Sequence, residues 1–315
     1  MTILSDLYRI PKIRGNEKRK LTRSPLEENF NPVQSGLSPQ VIPTGTTGPN
    51  RREEATQQGI IDDPTLPGRP DSVTAKHEIE TRPFEAPFVA DWLDAVFIHY
   101  EVDPKALAEA VPFPLDTHEG KAYISLVAFT MRGMRPKRGG RATRWLTAPI
   151  ATHQFLNLRT YVKHRGRFGI FFMKEWLNDS LAVKLGPLTF GLPYHKAEIA
   201  YEHSGHEVCG TVVAGGKALQ YGATPEGIPA PASGGTRDAF LLERYTAFTN
   251  AGRRPKFFRV WHEPWKVQPL TNLQLLRDDL VRNGTAPWSR TATLAGGHFT
   301  RGVEGVWMGR PHPAT

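Results

Sequence analysis

Aromatic residues are spread so unevenly along this chain that only part of it can build a core. Of the 31 Phe, Trp and Tyr in 315 residues, only Tyr8 and Phe30 fall within residues 1–82, which also hold nine of the 27 prolines. No helical or strand periodicity survives there for more than a few residues. Such a segment buries too little apolar surface to offset the entropy of ordering it. Residues 1–82 are therefore expected to form an extended or disordered N-terminal arm. The arm's charges nearly cancel, with 12 Lys and Arg against 11 Asp and Glu. Positions 9–23 are locally basic (Arg9, Lys12, Arg14, Lys18, Arg19, Lys20, Arg23). Two readings stand: a solvated tail, or an arm that touches a protein partner or acidic surface. No aromatics interleave with the basic residues for base stacking, so nucleic acid is not the expected partner.

Residues 83–315 read as one globular domain. Of the chain's net charge of +9, this part carries 28 minus 20, or +8, which favours anions without naming one. A single cysteine, Cys209, excludes an internal disulfide framework and a Cys-rich zinc site. No apolar run approaches the ~18 residues of a membrane span, and no secretory apolar region opens the chain. The expectation is a soluble, cytoplasmic protein. A strand ends near Glu101, Asp103-Pro104 caps a short helix, and residues 121–134 form a long strand. Residues 152–162 and 168–176 form a hairpin across Arg165-Gly166, and 194–201 and 207–214 a second one. Helices are expected at 180–185, 237–248 and 273–281, and further strands at 256–267 and 290–307. Many antiparallel strands with few helices indicate an α+β fold on a large curved sheet or barrel.

The first hairpin implies a lined cavity. Alternation places Leu156, Leu158 and Val162 on one face, and His153, Phe155, Asn157, Arg159 and Tyr161 on the other. The facing strand, 169–173, is apolar on both faces and so is expected to be covered on both. Arg159 then faces an enclosed space, where an unpaired charge is costly. It either anchors an anionic ligand, pairs with Glu243, Glu198 or Glu175, or belongs to a solvent-facing row. A two-residue turn would set Lys174 opposite Asn157 and diagonal to Arg159, where the guanidinium would ease loss of its proton. On the next strand, Tyr194, Lys196 and Glu198 share a face. They read either as proton-handling groups or as an ordinary solvent face.

Four strings in order resemble the YqjF-like family of uncharacterised conserved proteins, within the acetoacetate decarboxylase-like superfamily. They are Asn157-Leu158-Arg159-Thr160-Tyr161-Val162, Gly191-Leu192-Pro193-Tyr194, Phe240-Leu241-Leu242-Glu243-Arg244-Tyr245 and His262-Glu263-Pro264-Trp265. The resemblance covers about residues 85–310 and leaves the arm outside. It implies a strongly curved antiparallel sheet closing on a central cavity, with outer helices. Acetoacetate decarboxylases form a Schiff base between a lysine and a β-keto acid. In those enzymes the first of two lysines follows a Gly-Phe-Pro-like string. Here Tyr194 and His195 stand at the two lysine positions, and tyrosine forms no imine. Lys196, two residues on, is left as a candidate for the same cavity. Phe155 stands where family members tend to carry Glu. A retained cavity with altered chemistry follows, and decarboxylation is not carried over.

The candidate catalytic residues are Lys196, Tyr194 and His262. The candidate binding residues are Asn157, Arg159, Tyr161, Lys174, Glu243, Arg244 and Trp265. For His262 and Trp265 the alternatives are a backbone-satisfied histidine and core packing. No cofactor or metal is expected, since His203 and His206 lack a nearby third ligand and no phosphate loop or hydrolase elbow occurs. Three functions remain: a lyase-like enzyme on a keto or carboxylate compound, a non-catalytic binder of such a ligand, or an interaction protein acting through the arm. A homo-oligomer is compatible with each.

Overall fold

The computed structural model describes residues 68–250, 254–282 and 286–314. The basic run at 9–23 lies outside the described residues. The strands are β1 (Phe88–Val102), β2 (Ala122–Pro136), β3 (His153–His164), β4 (Arg167–Leu177), β5 (Tyr194–Lys196), β6 (Glu198–His203) and β7 (Val208–Ala214). They continue as β8 (Lys217–Pro225), β9 (Ala230–Pro231), β10 (Thr246–Thr249), β11 (Lys256–Trp261), β12 (Lys266–Asp278), β13 (Thr293–Met308) and β14 (His312–Pro313). The helices are α1 (Ser72–Glu80), α2 (Pro104–Ala108), α3 (Ser180–Thr189), α4 (Arg237–Leu242), α5 (Asp279–Arg282) and α6 (Trp288–Thr291), with 3-10 turns at Gly140–Leu146 and Ala148–Ile150. None of the described helices is long and apolar enough to cross a membrane.

Strand pairing runs β11-β10-β4-β3-β2-β1-β13, and β13 returns to β11 through Val260↔Met308 and Trp261↔Trp307. These seven strands close a barrel. The sheet is mixed rather than purely antiparallel, because β10 and β5 both run parallel to β4. Beyond the barrel, β12 pairs with β13 and continues through β8 and β7 to β6. The outward residues Leu156, Leu158 and Val162 of β3 join a core with Val208 and Val212 of β7 and Leu219 and Tyr221 of β8. Phe155 and Tyr161 belong to a separate core with Phe97, Phe172 and Phe258. A barrel wall with a core on each side explains why its central strands read as apolar throughout.

The β3–β4 hairpin turns where the sequence placed it. Arg165 and Gly166 both take positive φ, 50° and 71°, as a two-residue turn matching strand twist requires. The Asp103 cap also forms, its side chain accepting from Ala106 N at 2.7 Å. Other expectations are corrected. Residues 273–278 belong to β12 and only Asp279–Arg282 is helical. Leu273 and Leu275 pack on the outer core while Leu276 is exposed, so this stretch follows a strand period. The expected strand at 194–201 is two strands divided at the buried Ala197, and that at 256–267 breaks between Trp261 and Lys266.

Part of the segment expected to form the arm is folded. Residues 68–82 are described, and α1 within them is folded, with Asp71 accepting from Thr74 N at its start. Ala75 and Ile79 bury against Tyr245 and Trp261. Ser72 Oγ donates to the His262 carbonyl at 2.8 Å, and Trp261 Nε1 donates to Ser72 Oγ at 3.1 Å. The helix borrows aromatic partners from far along the chain, so its own composition looks too polar to fold.

Gly169 marks a close approach within the barrel wall. A Cβ there would collide with the Thr246 carbonyl of β10 and the Phe248 ring. Gly169→Ala is expected to lower stability by about 1–3 kcal/mol through forced separation of β4 and β10. An unchanged urea midpoint would contradict this packing.

Candidate functional site

The barrel encloses a cavity of about 90 Å3. Every barrel strand contributes to its lining: Phe97 from β1, Phe129 from β2, Asn157 and Arg159 from β3, Glu175 from β4, Thr246 from β10, Phe258 from β11 and Met308 from β13. Tyr194 of β5 adds to it, as do Arg244, His262 and Trp265 from segments between strands. Eight of the lining side chains are Phe, Tyr or Trp. Phe129 stacks on Phe155 at 5.1 Å and Trp92 on Trp265 at 6.3 Å.

Arg159 is 8% exposed, which rules out the solvent-facing row. Its Nη2 donates to the Leu241 carbonyl at 3.3 Å, its guanidinium lies 5.5 Å from the Phe97 ring centre, and its Nε has no partner. No carboxylate pairs with it among the described residues. Burial draws this guanidinium below its ordinary range, with Tyr161 opposing, but an arginine still keeps its proton. Arg244 also lines the cavity, yet its charge is matched. Its Nη1 donates to Asp116 at 2.6 Å, its Nε donates to the Phe240 carbonyl at 2.7 Å, and its Nη2 is unpartnered. Asp116 accepts from Arg69 as well, at 2.7 and 3.1 Å.

The acid in the cavity is Glu175, not a lysine from β4. Pairing along the hairpin slips between Leu158 and Arg159: Arg159 faces Phe172, Leu158 faces Lys174, and Asn157 faces Glu175. The extra residue, Met173, forms a bulge that inverts which face the rest of β4 presents. Lys174 is consequently exposed and leaves the predicted row, while Glu175, weighed from sequence only as an ion-pair partner, enters it. Glu175 is 3% exposed with Oε2 unpartnered, and burial pushes its carboxyl well above the ordinary range, so it is neutral. A bulge carries no residue signature of its own, and only the run of partners along β3 exposes it.

Two further candidates leave the site. Lys196 pairs with Leu177 at the end of β4, and its Nζ, exposed, donates to the Asn178 carbonyl just beyond. It sits past the cavity's end although it shares a strand with Tyr194. Glu243 turns away, with one oxygen accepting from Trp265 N at 3.0 Å and the other from the Tyr245 hydroxyl. Tyr194 does reach the cavity, its ring lying over Gly186 of α3, where any side chain would collide with it. Burial, then Glu175, raises its phenol well above the usual range. His262 lines the cavity as a neutral ring: Nδ1 is 2.8 Å from the Glu263 carbonyl, and burial depresses it to about 4.

Tyr161 is buried behind the lining. Its hydroxyl donates to the Leu241 carbonyl at 2.9 Å, the carbonyl that also holds Arg159. Behind it runs a chain of polar contacts. Ser125 Oγ lies 2.6 Å from the Tyr161 hydroxyl and 2.7 Å from His99 Nδ1. His99 Nε2 lies 3.1 Å from His298 Nδ1, and His298 Nε2 lies 3.3 Å from Asp238 of α4. His298 depresses the Asp238 carboxyl to about 2. Among the described residues, no group of three or more His, Cys, Asp or Glu is placed to hold a metal ion.

Residues 89–304 match DUF2071, a family described as an uncharacterized conserved protein. The chain belongs to this family. It is 31% identical over 186 residues to the uncharacterized protein YqjF of Bacillus subtilis (strain 168), covering 56% of this chain and 73% of that one. Among solved structures, the enduracididine biosynthesis enzyme MppR complexed with pyruvate is similar with a TM-score of 0.54 at 14% identity, covering 75% of this chain and 93% of that one. An acetoacetate decarboxylase-like enzyme from Sphingomonas wittichii RW1 gives 0.51 at 16%, covering 73% and 93%. Acetoacetate decarboxylase from Legionella pneumophila gives 0.50 at 13%, covering 73% and 86%. At these identities the likeness establishes the fold, which is acetoacetate decarboxylase-like.

Burial holds three histidines, His153, His203 and His262, at about 4, against an ordinary value near 6.5. Between those values the unfolded chain binds protons that the folded chain refuses, so stability falls as pH drops from about 6.5 towards 4. The slope is about 1.4 kcal/mol per pH unit for each ring kept neutral. Urea unfolding from pH 7 to 4.5 measures it, and His262→Gln is expected to flatten the slope by one ring's share.

Proposed function

We propose that the barrel binds a small organic monocarboxylate or keto acid, with Arg159 taking its carboxylate. The observation that carries this reading is a buried guanidinium with no counter-charge, facing an enclosed cavity. Arg244 is neutralised by Asp116, while Glu175 and His262 are neutral, so the lining carries one uncompensated positive charge. A monoanion completes it. The open volume of about 90 Å3 equals about three waters at their liquid share of about 30 Å3 each, the size of a small organic acid. Pyruvate bound to MppR supports the size class.

Schiff-base chemistry is not part of this reading. No lysine lines the cavity among the described residues, and Tyr194 stands where the decarboxylase resemblance puts the nucleophile. What the cavity offers is hydrogen-bond donation: the Arg159 guanidinium, the neutral Glu175 carboxyl and the Tyr194 phenol. A carboxylate-binding barrel, with any turnover resting on these groups, is the function supported best.

Thermal unfolding with pyruvate, acetoacetate and propionate tests it. An acid at a hundredfold excess over its Kd is expected to raise Tm by about 5–10 °C. Arg159→Met is expected to abolish that shift while melting no lower than the native chain without ligand, because it removes an unpaired buried charge. Borohydride with either keto acid is expected to leave every lysine unmodified. A ligand shift that survives Arg159→Met, or a lysine adduct, would sink the proposal.

A further inference from the structure

The contacts behind Arg159 have a direction, set by a carbonyl at one end and a carboxylate at the other. The Leu241 carbonyl can only accept, and it takes the single proton of Tyr161. The Tyr161 oxygen must then accept from Ser125, and Ser125 Oγ must accept from His99 Nδ1. His99 therefore carries a proton on Nδ1, and because burial draws this ring well below its ordinary range and so favours the neutral form, its Nε2 is left as an acceptor for His298 Nδ1–H. His298 has now committed one proton inwards while its other nitrogen faces the Asp238 carboxylate. A lone pair there would be repelled, so the second nitrogen must also carry a proton.

We propose that Asp238, His298, His99, Ser125 and Tyr161 form one directional hydrogen-bond chain, headed by a doubly protonated His298, that positions Arg159 through the Leu241 carbonyl. His99, Ser125, Tyr161 and His298 are 5% exposed or less, whereas Asp238 stays 42% exposed, so the chain starts at the surface and ends beside the cavity. The charged and titratable groups facing its two rings are Asp238 and Arg237 from α4, Arg159 from β3, and the rings themselves, from β1 and β13. Among the described residues, Asp238 is the carboxylate that pairs with His298.

Loss of the Nδ1 proton from His298 reverses each bond between His298 and Tyr161. His298 keeps its Nε2 proton for Asp238, His99 must donate from Nε2, Ser125 donates to His99, and Tyr161 turns its proton to Ser125. The Leu241 carbonyl loses the phenol, and Arg159 loses the group that fixes its acceptor. The positioning role rests on the carboxylate reading for what Arg159 holds, but the chain itself does not.

Nitrogen-15 NMR of histidine and arginine side chains in the full chain tests it without ligand. At pH 7 the His298 ring is expected to show both nitrogens protonated and His99 only Nδ1. Asp238→Asn is expected to return His298 to a single proton and shift the Arg159 Nε resonance. Tyr161→Phe, which keeps the ring, should shift Arg159 while leaving His298 doubly protonated. In a second arm, pyruvate affinity is expected to fall about three- to tenfold on an alkaline limb, which Asp238→Asn moves to lower pH and Tyr161→Phe flattens. A singly protonated His298 in the native chain, or an Arg159 resonance indifferent to both variants, overturns the proposal. Failure of pyruvate to bind, with the NMR as expected, overturns only the carboxylate reading.

Discussion

Closure of β13 onto β11 is the constraint from which the rest of the structure follows. Two residue pairs, Val260↔Met308 and Trp261↔Trp307, turn a long sheet into a ring. Without them β11 and β13 would be separated by the whole width of the wall. With them the inward rows of seven strands converge on a single space, and the aromatic side chains set its size. Trp261 and Trp307 pack at 4.6 Å, and Trp261 is also where α1 docks. Barrel closure and burial of the segment before β1 therefore share one aromatic contact.

Inside the ring the electrostatics are unequal by construction. Arg244 is satisfied from behind by Asp116, so its charge costs little, whereas Arg159 has, among the described residues, a carbonyl, a phenol, a ring and the cavity but no carboxylate. Glu175, on the strand facing β3, does not relieve it, because burial keeps its proton in place. An ionised Glu175 would have cancelled the positive field of Arg159. The neutral acid preserves that field and adds a donor beside it.

Much of this was legible in the chain before any coordinates. The Arg165-Gly166 turn, the alternation along β3 and the enclosure of Asn157 and Arg159 follow from residue type and a period of two. Lys174 and Lys196 show where such reading ends. The first was misplaced by one extra residue at Met173, and the second by where the cavity stops along β5. Both are facts about partners rather than about the lysines themselves. The expected helix at 273–281 failed for a related reason: β12 pairs with β8 through two irregularities, and broken pairing blurs strand alternation. The helix α1 went unread because its apolar partners lie well over a hundred residues away.

The sharing of Asp116 has a consequence for how the chain is organised. A single carboxylate joins a guanidinium in the cavity wall to one that arrives from the segment preceding α1. Severing the backbone just after Arg69 would free that outer cation and leave Asp116 to balance Arg244 alone. Arg244 would then keep its carboxylate without a competing donor. A cut in the leading segment would thus be felt at a residue of the cavity wall that lies far from it in sequence.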